Sequence, residues 1–446
     1  MAIALATLLF RSIVFYHSYA AEPDVILDDD SLRYENPALQ LLRTGSLAIN
    51  PDRIDTPTLS VTPAYSVFIA AIYRVFGQDR YVLILIQIAI SVLTVCAVYL
   101  IAARLWSERT GLLAMTIMAL DPLQLLYSQL LLSETLFTFF LTVSLFYACM
   151  IVTSVQSRYR AALLFGIFLA AATMTRPISQ YLILPIVVGF TIYRRRLGCT
   201  YFELTKLLLL FVLPVVLAIG TWQIRNGQLT GVYALNNAGS ETMLYWKAKG
   251  VLMRANSFSE AEASKEINNL LPSDIQSLRQ KATAERSLAQ EIILADLPTY
   301  LAFSVEGLKG ILFGVGVASQ ANYYDGYLDV STGTDQQIDK GFLSNIEQLA
   351  GFQNWFIWLI AYSGAFMIML YLLFCYGYLN SLRGNQRSQI FHFMMLGAVL
   401  YFIVVSTGHL AAYSRMRVPF LPILALYAAN GAYTLAQRYL TPARNN

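Results

Sequence analysis

Four stretches of the chain, 81–103, 353–379, 388–410 and 418–437, contain no aspartate, glutamate, lysine or arginine. Each matches or exceeds the ~20 apolar residues that a helix needs to cross a hydrocarbon layer about 30 Å thick. No water is available inside that layer to satisfy the backbone, so segments of this kind must cross as internally hydrogen-bonded helices. Composition agrees: 57% of the 446 residues are hydrophobic and 13% are charged, against roughly 45–50% and about 25% in soluble domains. The sequence predicts an all-α polytopic membrane protein.

Hydropathy places spans near 3–19, 81–103, 110–128, 132–153, 161–176, 177–193, 204–223, 353–379, 389–410 and 418–437, ten in all. Short cytoplasmic loops are enriched in lysine and arginine. Arg104, Arg109, Arg158, Arg160, Arg194 to Arg196, Lys206, Arg383, Arg387, Arg438 and Arg444 all fall on one side of this layout, which assigns that side and both termini to the cytoplasm. Residues 1–20, ending in "SYAAE", also fit a cleavable secretory signal. The topology needs them as a retained first span, although Arg11 interrupts it.

Two more apolar segments, 63–77 and 298–318, would reverse the later loops if counted as spans. They are placed as interfacial or re-entrant helices on the outer face. The chain then reads as one membrane unit, 1–446, with a first outer loop at 20–80 and a long one at 224–352. The second contains polar stretches with helical spacing and Ser259 and Ser273 as N-cap candidates, so it is expected to form surface helices. The formal charge of +4 is spread over many loops, which argues against a nucleic-acid partner. Cys96, Cys149, Cys199 and Cys375 have no paired or metal-ligand spacing, so neither a disulfide nor a zinc site is expected.

Arg176, Arg225, Arg415 and Arg417 fall on the outer side, where few arginines belong. Snorkelling to the interface accounts for any one of them. Four on the face that also carries Asp30, Asp121 and Glu134 suggest a ligand instead. Guanidinium groups keep their charge and grip phosphate oxygens bidentately, so the ligand expected is an anionic phosphate at the membrane surface. Each acid has a structural alternative. Glu134 can sit in the first turn of a helix capped by Ser133, Asp121 can end a helix before Pro122, and Asp28 and Asp29 can form a hydrated turn.

These residues lie in motifs that follow one another in order. "DSLRYENPALQLLRTGSLA" resembles the first-loop D-x-x-x-Y-x-x-x-A-x-x-L motif of bacterial GT-C membrane glycosyltransferases, in the dolichyl-phosphate-mannose-protein mannosyltransferase-like and aminoarabinose-transferase-like group. "TPAYSVFIAAIYRVFG", "DPLQLLYSQLLLSETLF", "AAATMTRP", "TWQIRNG" and "SRMRVPFLPILAL" follow in that group's order. Ser66 replaces the second proline of its "P-x-Y-P", and its C-terminal "R-Y-R" reads Arg415-Met416-Arg417 here. The resemblance implies a GT-C fold and inverting transfer of one sugar from a polyprenyl-phosphate donor to a hydroxyl on a lipid, glycan or protein. It also implies a multi-pass protein of the plasma (inner) membrane, in contact with membrane lipids, with its site on the extracytoplasmic (periplasmic) side. Asp30 matches the first-loop carboxylate proposed as general base, Glu134 a second acidic position, and Arg415 and Arg417 the region that handles the lipid phosphate.

The chemistry suits the same residues. A sugar phosphate carries its own leaving group, so positive charge at the departing phosphate helps most. Arg415 and Arg417, with Arg176 or Arg225, can supply it. Asp30 can take the acceptor proton, with Asp29 as electrostatic neighbour and Tyr34 and Asp121 as secondary candidates. No cofactor is required; a divalent metal joining Asp30 and Glu134 stays open. The rival readings are a polymerase or ligase using lipid diphosphates, and a transporter or flippase. No internal repeat supports the transporter.

Overall fold

In the computed structural model, residues 1–47, 59, 61–154, 158–324, 354–383, 386–410 and 413–440 are described. They form helices joined by short turns, with no strand among the described residues. The N-terminal half contains α1 (Ala2–Ala21), α2 (Ser31–Thr44), α3 (Pro63–Phe76), α4 (Arg80–Leu105), α5 (Glu108–Leu120), α6 (Pro122–Tyr127), α7 (Glu134–Thr153), α8 (Arg158–Thr175), α9 (Ile183–Arg196) and α10 (Tyr201–Thr230). Six more helices follow: α11 (Ala238–Glu241), α12 (Lys249–Ala255), α13 (Glu260–Leu270), α14 (Leu278–Ala295), α15 (Leu297–Phe313) and α16 (Val317–Tyr324). The chain closes with α17 (Asn354–Ser381), α18 (Gln386–Ser406), a 3-10 segment Ser414–Phe420 and α19 (Leu421–Leu440).

Among the described residues seven helices are long and apolar enough to cross a membrane, or eight if the bent pair α14 and α15 counts as one span. The protein is therefore a multi-pass membrane protein. All ten expected spans carry helix, but three are short or broken. Span 110–128 is split into α5 and α6 at Asp121-Pro122, and 161–176 and 177–193 are α8 and the Pro177–Ser179 turn followed by α9. The segment 63–77 forms α3, whose 14 residues reach about 21 Å, short of the layer. The segment 298–318 is mostly α15, bent 97° from α14. Residues 325–352 of the long second loop lie outside the described residues.

Packing runs from α17 through α19 to α5, α4, α7, α8 and α10, each helix against the next. Within Ser414–Tyr439, 78% of the residues of its 18-residue apolar window are buried, against 17% for α1 and α10. The last span is thus the hub and α1 and α10 are the rim, with Leu5, Leu9, Ile13, Leu209, Leu213 and Val216 turned outward as a lipid-facing surface. The α17–α19 crossing depends on small residues. A Cβ on Gly377 would strike the Tyr427 carbonyl and the Gly431 nitrogen, and one on Gly431 would strike the Leu373 carbonyl. Asn430 Nδ2 then donates to Gly377 O at 3.2 Å and to Ser381 Oγ at 2.9 Å, the close-packed, polar-stitched contact favoured between membrane helices.

In the second loop, Ser259 forms a capping box with Glu262 at the start of α13. The cap of α14 is Ser277 with Gln280 and not Ser273, because the helix starts four residues later than the sequence suggested. A π-helical turn, Thr242–Ala248, joins α11 to α12.

Candidate active site

Four helix ends and one loop bring the charged residues together. Residues 28–30 form a turn leading into α2, with Asp30 at its N-cap. Glu134 is the first residue of α7, Arg176 follows the end of α8, and Arg415 lies in the 3-10 segment that leads into α19. Proline at 177 stops α8 and points Arg176 back toward the start of α7.

Glu134 is 2% exposed, and its Oε1 accepts from both Arg415 and Arg176. Arg415, 5% exposed, also donates through Nη1 to Asp30 Oδ2 at 3.1 Å and lies 3.9 Å from Asp28 Oδ1. The Asp30 side chain remains 33% exposed, and its Oδ1 meets Arg33 Nη1 at 3.3 Å. Arg33 in turn reaches Glu241 at 3.8 Å. Arg176 Nη1 also donates to Ser133 Oγ at 3.4 Å, and Ser133 donates to the Tyr34 hydroxyl at 3.1 Å. Asp30 is therefore the accessible end of a cluster whose other end is closed.

Burial also sets the protonation of the groups around the cluster. Burial raises the Tyr34 phenol, with Arg176 opposing, and burial pushes Tyr413 up to about 12. Both phenols stay protonated near neutral pH and accept no proton there. Burial raises the Asp28 carboxyl too, partly offset by Arg415 and reinforced by Asp30 and Glu134.

Asp30, Glu134, Arg176, Arg415 and Tyr34 thus meet in one place, and four expected site residues do not join them. Arg417 donates to the carbonyls of Ile311, Leu312 and Gly314 at 3.0, 2.9 and 2.9 Å, closing the C-terminal end of α15. The cause is local: three residues per turn in a 3-10 helix put positions two apart about 240° apart, so Arg415 and Arg417 face different ways. Arg225 lies inside α10, which continues to Thr230; its guanidinium stacks over the Trp222 ring at 4.4 Å and bonds Asn226. Asp121 caps α6 through the Gln124 amide at 2.9 Å. Asp29 is exposed, and it is Asp28, taken above as plain loop, that comes near Arg415.

Neither Arg33 nor Ser133 as an Arg176 partner stands out in the sequence, where Arg11 shows only as an interruption of the first span. Arg33 was readable as a helical neighbour of Asp30, three residues on. Arg11 is fully buried on α1, and donates to Ser91 Oγ at 2.8 Å, Gln124 O at 3.3 Å and Met118 O at 3.4 Å. It sits where α5 breaks, a partner no spacing rule discloses. Among the described residues no three of His, Cys, Asp and Glu group to hold a metal ion; the cations that Asp28, Asp30 and Glu134 meet are guanidinium groups.

The family model for dolichyl-phosphate-mannose-protein mannosyltransferase matches residues 60–222, which include Glu134 and Arg176 but neither Asp30 nor Arg415. No curated protein sequence matches the chain. Solved structures of the oligosaccharyltransferase AglB from Archaeoglobus fulgidus are similar in fold. The complex with an inhibitory peptide and a dolichol-phosphate aligns with TM-score 0.51 and 13% identity over 99% of this chain and 52% of that one. The form tethered to an acceptor peptide containing the NVT sequon gives TM-score 0.53 and 14% identity over 99% and 51%. The chain spans about half the length of these relatives. Its fold is similar to that of the corresponding half of these structures.

Proposed function

We propose that the protein is an inverting glycosyltransferase that moves one sugar from a polyprenyl-phosphate donor to a hydroxyl acceptor, at the extracytoplasmic face of the plasma membrane. The observation that carries this is a helix-end cluster in which a solvent-accessible carboxylate, Asp30, pairs with the buried Arg415, and Arg415 shares the Glu134 carboxylate with the buried Arg176. The partial family match and the dolichol-phosphate bound to AglB support the donor class.

In the proposed step the acceptor oxygen attacks the anomeric carbon from the face opposite the phosphate. The new carbon–oxygen bond forms as the bond to the phosphate oxygen breaks, and the bonding pair leaves with the phosphate. The acceptor proton passes to Asp30. Arg415 and Arg176 stabilise the charge that grows on the departing phosphate, the point at which preorganised donors lower a barrier most. Arg33 and Arg415, one on each oxygen of Asp30, fix the direction of the carboxylate.

Charge balance favours a monophosphate over the diphosphate of a polymerase or ligase. Arg33, Arg176 and Arg415 are already met by Asp28, Asp30, Glu134 and Glu241. Three arginines facing four carboxylates leave no surplus positive charge, so a singly charged phosphodiester is disfavoured less than a diphosphate.

Purified protein given a polyprenyl-monophosphate sugar should transfer it, and Asp30→Asn should lower that rate by about 10²–10⁴ while the protein stays folded. Near-normal turnover in this variant, or transfer from the diphosphate donor alone, rejects the assignment.

A further inference from the structure

Glu134 is bonded in a lopsided way. Its Oε1 takes both the Arg176 and the Arg415 guanidinium, while Oε2 is buried with no hydrogen-bond partner. A buried ion pair kept only for stability needs its remaining lone pairs satisfied, and half of this carboxylate is left unused. Two guanidinium groups converging on one oxygen form a better cradle for a phosphate, whose several oxygens accept paired N–H donors. The carboxylate thus occupies the position a phosphate oxygen fits.

We propose that Glu134 is an internal stand-in for the lipid phosphate. It holds Arg176 and Arg415 while the site is empty, yields them to the donor, and competes for them again after transfer to release the product. This rests on the lipid-phosphate reading above. The chemistry of the two lipids gives the competition a purpose. The donor phosphate is a diester with a single negative charge, whereas the product is a monoester with a second ionisation near pH 6, carrying about 1.5 to 2 negative charges at pH 7. Two buried arginines would hold the product more tightly than the substrate. A resident carboxylate counters this without leaving the arginines unpaired between turnovers.

The direction of the effect separates this role from a structural one. If Glu134 only orders the two arginines, removing its charge weakens phosphate binding; if it competes with phosphate, removal tightens it. The test uses full-length protein in detergent and two probes, farnesyl phosphate and farnesol, titrated by calorimetry. Glu134→Gln should bind farnesyl phosphate about tenfold tighter than the wild type. Glu134→Asp keeps the charge but draws it back by one methylene, and should fall between the two. Farnesol affinity should be the same in all three. Should Glu134→Gln fail to give a monodisperse folded protein, Glu134→Asp decides alone. Equal or weaker phosphate binding in the folded variants overturns the stand-in role and leaves the transferase reading intact. Wild-type protein that prefers farnesyl phosphate no more than farnesol overturns the lipid-phosphate reading, and this inference with it.

Discussion

Two of the groups of buried charge among the described residues stand in contrast. In the first, Arg11 and Arg417 give their N–H groups largely to main-chain carbonyls beside the ends of α5 and α15, and Asp121 accepts the Gln124 amide at the start of α6. In the second, Arg415, Arg176, Glu134 and Asp30 bind chiefly one another, and Asp30 opens to solvent. Residue types and burial are similar; what differs is where the hydrogen bonds go. Charges committed to the backbone repair helices that are broken inside a membrane, where no water can satisfy the exposed carbonyls. Charges committed to other side chains can be exchanged for a ligand's.

Exchanging arginines tests that distinction with the largest effects. Arg415→Lys keeps a charge but loses the planar fork, and should cut transfer by about 10²–10³ with only a modest change in unfolding temperature. Arg417→Leu, two residues away, removes the donor from three carbonyls; it should cost about 3–5 kcal/mol of stability and leave the specific activity of the folded fraction close to wild type. Thermal unfolding in detergent beside a transfer assay reads both. If Arg417→Leu is stable and inactive, the division between the two groups is wrong. A smaller effect is expected at Arg225, which belongs to neither. Arg225→Ala gives up one ring contact and one hydrogen bond, worth about 1 kcal/mol, with transfer unchanged. A loss of transfer would draw α10 into the site.

The smallest effect concerns Asp28. Burial raises its carboxyl above the ordinary value, so the native state holds the proton more tightly than the unfolded chain does. Its contribution to stability is present below the ordinary carboxylate range and is lost as the pH rises through the raised value. Asp28→Asn should therefore melt slightly higher than the wild type at pH 8, and the two curves should converge as the pH falls below about 4. A gap that widens on acidification contradicts this.

The bundle was legible because the hydrocarbon layer demands long apolar helices, and all ten stretches read from hydropathy carry helix. The breaks in them were less so. Asp121-Pro122 announces one, but its repair by Arg11 is a contact across more than a hundred residues. The site was legible where an arginine or acid stood at a helix end on a face that should lack it, as for Glu134, Arg176 and Arg415. It failed where local geometry decided direction. "RMR" reads as two equivalent arginines until the 3-10 turn is known, and "DDD" ranks Asp29 above Asp28 until the turn shows Asp29 facing out. Arg225 looked like a residue past a span because nothing in "WQIRNG" shows that α10 runs on to Thr230.

The glycine-to-glycine crossing of α17 and α19 has a consequence for how such a protein can diversify. Arg415 stands on the segment that enters α19, and α19 is locked to α17 by Gly377 and Gly431. Little room exists to alter that wall by single substitutions. Asp28 to Asp30 lie across from it on a turn where Asp29 is exposed and Asp30 partly so. On the proposed reading, acceptor preference can drift through changes in the first loop while the half that carries Arg415 stays unaltered.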